Sequence, residues 1–288
     1  MESGSPEQKA EAARAALRAA VPAPGRLAVA FSGGVDSSIL LALACEALGA
    51  ERVVAVTARS ESLATDELAA CRRVAGALGV TLHVLETREL AREGYRLNGP
   101  DRCYHCKTEL FEAIDARVLR VSGCAAVAYG ATADDVGDHR PGMRAAAEHG
   151  VLAPLLEAGL GKAELRALSR ARGLETWDKP AQPCLASRIP YGQEVTREAL
   201  QRIELAEAAV RSLGFRELRV RHLDSSQRPV ARVEVPTADL ARLAARAAEV
   251  RASLLPLGFV DVRIDPEGLR SGRLNEGLRR LPAVERAS

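Results

Sequence analysis

An apolar run, Leu27-Ala28-Val29-Ala30-Phe31, leads directly into Ser32-Gly33-Gly34-Val35-Asp36-Ser37-Ser38, and a second apolar run begins at Ile39. No other stretch limits the fold so strongly. The first run is short and continuous, as in a strand buried on both faces. The second reads as a helix continuing to about Leu48. A strand, a glycine turn and a helix start, in that order, leave backbone N–H groups unpaired at the positive end of a helix dipole. Such a place binds anions, phosphate above all. Gly33 and Gly34 let a phosphate approach the backbone without meeting a Cβ. Ser32, Ser37 and Ser38 add hydroxyl donors, and Asp36 can hold a magnesium ion or orient a nucleotide. The Gly-Lys-Ser/Thr of a Walker A loop is missing.

The segments that follow keep alternating between strand and helix. Arg52 to Ala58 and Thr81 to Leu85 read as strands, with a helix from Thr65 to Leu78 between them. Thr57 lies at the C-terminal end of its strand, where open α/β sheets place ligands. Residues Glu86 to Asp101 are irregular and contain the turn signal Asn98-Gly99-Pro100. A helix is expected from about Lys107 to Arg120 and a strand over Ala125 to Tyr129. A polar loop carrying Asp134 and Asp138 comes next, then a helix over Lys162 to Arg172. This alternation predicts an α/β fold with a doubly wound parallel sheet. Beyond the proline-rich stretch to Gly192 the order changes to helix, strand, strand, helix, strand, which predicts a smaller C-terminal α+β domain. The expected division is 1–180 and 181–288.

Hydrophobic residues make up 47% of the 288, enough for a core, but aromatics are only 3%, so Leu, Val and Ala must fill it. A net charge of +2 offers no general case for a nucleic-acid partner. No apolar run approaches the ~20 residues that span a bilayer. Residues Met1 to Glu11 are polar and acidic, unlike a signal peptide, and the expected compartment is the cytoplasm. In a reducing compartment the six cysteines point to metal or redox chemistry at some of them rather than to a disulfide frame.

Cys103 and Cys106 have the spacing of a metal or redox pair. Cys184, in an irregular proline-rich segment, offers a third thiol. With His105 added the set suits zinc. Three cysteines alone suit a [4Fe–4S] cluster with one open iron. Cys45, Cys71 and Cys124 fall in helix or strand patterns and read as small buried apolar residues. Several cationic and acidic side chains surround these segments. Arg188 follows Ser187 beside Cys184, while Arg219, Arg221 and His222 share a strand. Glu204 and Glu207 lie on the helix after the Cys184 segment, where a carboxylate could bind a metal or merely face solvent. Lys107 and Lys179 could balance phosphate charge, and Trp177 could stack on a ring or pack in the core.

The Ser32–Ser38 stretch resembles the PP-loop of the ATP pyrophosphatase superfamily. That resemblance implies cleavage of ATP between its α and β phosphates and adenylylation of a substrate oxygen. A closer resemblance, to the LarE family, rests on several stretches spread over most of the chain. They are the PP-loop, Arg102-Cys103-Tyr104-His105-Cys106-Lys107, the loop from Gly137 to Gly142, the segment from Trp177 to Gly192, and Gly268 to Glu276 with Arg270. It implies an ATP-dependent sulfurtransferase of nickel-pincer nucleotide biosynthesis that uses ATP and Mg2+. The implied substrate is a small molecule, pyridinium-3,5-biscarboxylic acid mononucleotide, whose carboxylates become thiocarboxylates. The implied nucleotide- and substrate-binding residues are Ser32, Gly33, Gly34, Asp36, Ser37, Ser38, Thr57, Asp134, Ser187, Arg188, Arg221 and Arg270. Family members with three cysteines bind a [4Fe–4S] cluster, here implied on Cys103, Cys106 and Cys184. In other members a single cysteine, at the position of Cys184, gives up its own sulfur. A sulfur donor and a homo-oligomer are expected; a membrane or nucleic-acid partner is not. A tRNA thiolase of the same superfamily is the alternative reading.

Overall fold

The computed structural model describes residues 4–119, 122–136, 140–225, 228–270 and 274. The chain divides into two compact units. The first comprises Met1–Glu89 and Cys103–Gln182, the second Leu90–Arg102 and Pro183–Ser288. The chain therefore leaves the second unit one residue before Cys103 and re-enters it one residue before Cys184.

In the first unit, α1 (Pro6–Ala20) precedes β1 (Arg26–Ala30) and α2 (Val35–Leu48). After them come β2 (Val53–Arg59), α3 (Thr65–Ala77) and β3 (Thr81–Glu86). A short helix, α4 (Glu93–Arg96), belongs to the second unit. The first unit resumes at Cys103, the second residue of α5 (Arg102–Ile114), and continues with β4 (Cys124–Tyr129), α6 (Pro141–Glu148), α7 (Pro154–Glu157) and α8 (Lys162–Ala171). The strand order is β3-β2-β1-β4, and every neighbour pair is parallel. Two-residue alternation along β1 and β2 feeds two cores. Leu27, Val29, Val53 and Ala55 pack with α1, α2 and α8; Ala28, Ala30, Val54 and Val56 pack with Phe111, Ile114 and Val118 on the other face. A sheet covered on both faces explains why these strands read as continuous apolar runs. The chain moves outward from β1 through β2 to β3, then returns to the opposite side of β1 for β4. That reversal makes the C-terminal ends of β1 and β4 the crevice of the sheet.

In the second unit, α9 (Arg197–Ser212), β5 (Arg219–Ser225), β6 (Arg228–Glu234), α10 (Leu240–Ala245), α11 (Ala247–Leu254) and β7 (Asp261–Ile264) follow one another. β5 and β6 are antiparallel, and β7 lies parallel to β6. Val220, Ala231 and Val233 share an apolar core with Ala206, Val210, Phe215, Val250 and Leu254. By strand alternation the opposite sheet face carries Arg219, Arg221, Arg232 and Glu234, with Arg221 paired across from Arg232.

Two local differences from the sequence reading matter. The helix expected from Lys107 begins at Arg102, so Cys103 and Cys106 lie on its first turns rather than ahead of it. The loop expected after β4 gives way at Pro141 to α6, whose first residue is that proline. Proline favours a first helical position because its missing N–H is not needed there.

Candidate active site

Gly34 is the N-cap residue of α2 and has no side chain to cap the helix, so its first N–H groups face the crevice without a side-chain acceptor. The loop before it is ordered from within. Ser32 N–H donates to Ser37 Oγ at 3.2 Å, Ser32 Oγ and Ser37 Oγ lie 3.1 Å apart, and Ser37 Oγ donates to the Gly34 carbonyl at 3.3 Å. Ser38 is fully buried, and its Oγ has no hydrogen-bond partner. A buried hydroxyl without a partner beside an uncapped helix start is what a phosphate oxygen would satisfy. Gly33 has φ +68°, and a Cβ there would stand 2.8 Å from Cys71 Sγ. At Gly130, just past β4, a Cβ would meet Asp36 C and Ser37 N at 3.0 Å. Both glycines are set by close approach, and both lie in the crevice.

Lys179 ties the loop to α3: its Nζ donates to the Gly33 carbonyl at 2.9 Å and to Glu67 Oε2 at 2.7 Å. Lys179 is in turn held by Arg166, which donates to the carbonyls of Trp177 at 2.8 Å and Lys179 at 2.9 Å. Trp177 is 37% exposed and lies under the Arg170 guanidinium, 4.9 Å from its ring centre, so it is a surface residue rather than a core one. Burial pushes the Asp36 carboxyl above its ordinary range. The like charges of Asp135 and Asp134 add to that effect, and Lys162 and Arg166 oppose it. Carboxylates crowded in this way are relieved by a bound cation. Asp134 is exposed and caps α8 by accepting the Lys162 N–H at 2.5 Å. Asp138 lies outside the described residues. Thr57 is 2% exposed, and its hydroxyl is used internally, donating to the Phe31 carbonyl at 2.7 Å. Lys107 is half-buried with its Nζ 6.0 Å from the Phe111 ring centre.

A carboxylate that sequence reasoning passes over closes the same end of the sheet. Glu89 is 3% exposed and accepts from Ser62 Oγ and Thr87 Oγ1, both at 2.9 Å, which orders the turns after β2 and β3. No local pattern marks it, because its partners come from two different strand ends.

The second unit contains the Cys184 segment. Cys184 is exposed and caps a short 3-10 turn over Leu185–Arg188. Arg188 follows it and is 1% exposed. Its Nε donates to Glu207 Oε1 at 2.8 Å and its Nη2 to Glu207 Oε2 at 3.2 Å. Its Nη1 reaches the Pro183 carbonyl at 2.5 Å, the Cys184 carbonyl at 3.3 Å and Ser187 Oγ at 3.0 Å. Glu207, 1% exposed, is thus a buried counter-ion rather than a solvent-facing residue. Arg221 is 4% exposed, pairs with the fully buried Glu234 at 3.0 Å, and donates from Nη1 to the Ser187 carbonyl at 2.8 Å. Its Nη2 is buried with no hydrogen-bond partner. Arg219 is half-buried and its side chain makes no hydrogen bond among the described residues; burial, then the charges of Arg221 and Arg188, pull its guanidinium below the ordinary range. His222 is buried and accepts from Arg202 Nη1 through Nε2 at 2.9 Å. Arg270 is exposed and donates to Glu267 Oε2 at 2.9 Å. Of the motif after it, 271–273 and 275–276 lie outside the described residues.

Cys103 is exposed, Cys106 partly so, and they stand one helical turn apart on α5 in the first unit. Cys71 and Cys124 are buried and Cys45 partly buried. The thiols of Cys103, Cys106 and Cys184 fit an iron–sulfur cluster by donor type. They belong to different units, and among the described residues no three His, Cys, Asp or Glu side chains are grouped to hold a metal ion.

An asparagine synthase family model matches residues 9–118, the part that contains the serine–glycine loop. Over 266 residues the chain is 36% identical to the pyridinium-3,5-bisthiocarboxylic acid mononucleotide synthase of Lactiplantibacillus plantarum, covering 92% of this chain and 94% of that enzyme. The chain belongs to the LarE family. An uncharacterized Synechocystis protein is 40% identical over 255 residues, 88% of this chain and 93% of its own length. Similarity to the argininosuccinate synthase of Halobacterium salinarum, 35% over 145 residues, covers 47% of this chain and 36% of that enzyme. LarE membership and the parallel sheet place the first unit in the PP-loop ATP pyrophosphatase fold, an ATP-using enzyme family. Among the described residues no helix is long and apolar enough to cross a membrane.

Proposed function

We propose that this LarE-family chain is an ATP-dependent sulfurtransferase acting on pyridinium-3,5-biscarboxylic acid mononucleotide. The observation that carries the reading is similarity to the Lactiplantibacillus plantarum synthase over 94% of that enzyme, in a chain whose loop geometry suits ATP phosphates. A substrate carboxylate oxygen attacks the α-phosphorus of ATP, the α–β bond breaks, and pyrophosphate leaves. Sulfide then attacks the acyl carbon, AMP departs with the carboxylate oxygen, and a thiocarboxylate remains. The uncapped start of α2, Ser32, Ser37 and Ser38 bind the phosphates, and Asp36 holds Mg2+. Arg219, whose side chain makes no hydrogen bond among the described residues, suits the anionic groups of the substrate. Arg188, its charge matched by Glu207, holds the Cys184 segment in place.

Cys103, Cys106 and Cys184 would hold a [4Fe–4S] cluster, and when bound it would supply the transferred sulfide from its open iron. Replacement Cys184→Ala should abolish thiocarboxylate formation while pyrophosphate release persists; continued sulfur transfer by that variant contradicts the assignment. Iron content and the absorbance of anaerobically purified protein separate the two sulfur sources. About four irons per chain and a brown colour support the cluster. A colourless, iron-free protein that converts Cys184 to dehydroalanine during turnover places the sulfur on Cys184 itself.

A further inference from the structure

Asn98 and Arg102 belong to the short excursion Leu90–Arg102 that the chain makes into the second unit. In sequence they are a turn residue and a flank of the cysteine pair. In the structure they are buried, at 0% and 3% exposed. Asn98 Nδ2 faces three carbonyls, those of Ile189 at 3.3 Å, Pro190 at 2.8 Å and Gln193 at 2.8 Å. Asn98 Oδ1 accepts from Arg102 Nη1 at 2.6 Å, and the same Nη1 donates to the Ala186 carbonyl at 2.9 Å. The backbone joins in: Gly192 N–H donates to the Asn98 carbonyl at 3.1 Å and Val195 N–H to the Arg96 carbonyl at 2.9 Å. The Arg102 guanidinium also lies 5.8 Å from the centre of the Tyr191 ring.

Only an asparagine fits this place well. Its φ is +55°, a left-handed conformation that Asn tolerates better than most residues. One amide side chain offers the two donor hydrogens and the acceptor that the site uses. With Arg188 holding the carbonyls of Pro183 and Cys184, and Arg221 that of Ser187, the segment from Pro183 to Gln193 is gripped along its length. The Asn98–Arg102 grip comes from chain 84 to 95 residues upstream, and its last residue is covalently joined to Cys103.

We propose that Asn98 and Arg102 are positioning residues for sulfur transfer: their side chains hold the Cys184 segment by its carbonyls. The proposal rests on the sulfur-transfer reading above. Group transfer to an activated carbon depends on placement to within an ångström, so loosening the segment acts on the rate rather than on ATP binding.

The test is Asn98→Asp, which keeps the shape and the tolerance for positive φ but puts a carboxylate oxygen where the amide donor faced three carbonyls. Arg102→Lys serves as a second, milder variant. In the full-length protein, hydrogen exchange of the peptide spanning 183–195 should speed up by about tenfold or more. Exchange in α9 and in β5–β6 should stay as in the unmodified chain. Thiocarboxylate formation should lose about a hundredfold in kcat, with KM for ATP and pyrophosphate release within about twofold. Arg102→Lys should show the same pattern at smaller amplitude. Unchanged exchange and unchanged sulfur transfer in both variants overturn the proposal. So does exchange that rises throughout the second unit in both, which assigns the pair to general folding. Failure of the unmodified chain to make thiocarboxylate refutes the functional reading instead, and the exchange measurement still decides whether the pair holds the segment.

Discussion

The loop at Ser32–Ser38 and the segment at Cys184 are both built around a short turn, yet they use their polar groups in opposite ways. The loop leaves groups unspent: an uncapped helix start, a buried Ser38 hydroxyl without a partner, and an Asp36 carboxyl pushed up by burial and like charge. The Cys184 segment spends nearly everything. Arg188, Arg221, Arg102 and Asn98 are consumed in holding carbonyls, and two of the arginines are neutralised by the buried carboxylates Glu207 and Glu234. A site for a diffusible nucleotide keeps donors open; a site that must present one atom in one place is clamped. Cationic residues near a reactive group therefore have to be sorted by what already pairs with them before they are assigned to a ligand.

Three substitutions test this contrast. The largest effect should come from Glu207→Ala, which leaves the Arg188 guanidinium buried without its counter-ion. Removing one partner of a buried pair costs about 3–5 kcal/mol, to be read as a lowered denaturant midpoint. The double variant Arg188→Met, Glu207→Leu should recover only part of that loss, because the Pro183 and Cys184 carbonyls and the Val220 N–H lose these partners. A cost of less than about 1 kcal/mol, the value of an exposed pair, would break the claim that the segment is clamped.

Gly33→Ala should follow. The left-handed backbone costs about 1–2 kcal/mol for an L side chain, and the new Cβ must displace Cys71 Sγ. Calorimetric titration with MgATP should show affinity reduced by about tenfold or more. Affinity equal to that of the unmodified chain would move the phosphate site elsewhere.

The smallest effect concerns acid stability of the second unit. Burial, then the charge of Arg202, holds the His222 imidazole below its ordinary range, with Asp224 opposing. The unfolded chain takes up a proton near pH ~6.5, where the folded one resists it. Stability is therefore fully present above that pH and is lost as the pH falls below it. Hydrogen exchange in β5 and β6 should rise between neutral pH and pH ~5 after correction for the intrinsic rate, and His222→Gln should flatten that rise. An unchanged pH profile in the variant would remove His222 as the sensitive group.

Much of the first unit could be read from the chain. The apolar runs and their glycine stops are local signals, and a parallel sheet buried on both faces writes itself as continuous hydrophobic strands. The strand, glycine turn and helix start around Ser32–Ser38 were equally legible, because they are contiguous. The second unit was legible as an order of elements but not as chemistry. Glu207 reads as one more acid on an amphipathic helix, and nothing near it in sequence reveals Arg188 as its partner. Asn98 reads as a turn residue because its three acceptors lie some ninety residues further on. The start of α5 at Arg102 was hidden as well, since Cys103, Tyr104 and His105 are indifferent helix formers and the helix is secured by what Arg102 binds.

In the proposed reaction the open loop activates a carboxylate so that sulfur can replace one of its oxygens. The most direct test is to incubate the purified protein anaerobically with MgATP, pyridinium-3,5-biscarboxylic acid mononucleotide and sulfide, and to follow AMP, pyrophosphate and the pyridinium product by mass spectrometry. The expected product carries sulfur in place of a carboxylate oxygen, with one AMP and one pyrophosphate released for each sulfur gained. Pyrophosphate release with the pyridinium carboxylates unchanged, or sulfur gained without ATP cleavage, would contradict the proposed reaction.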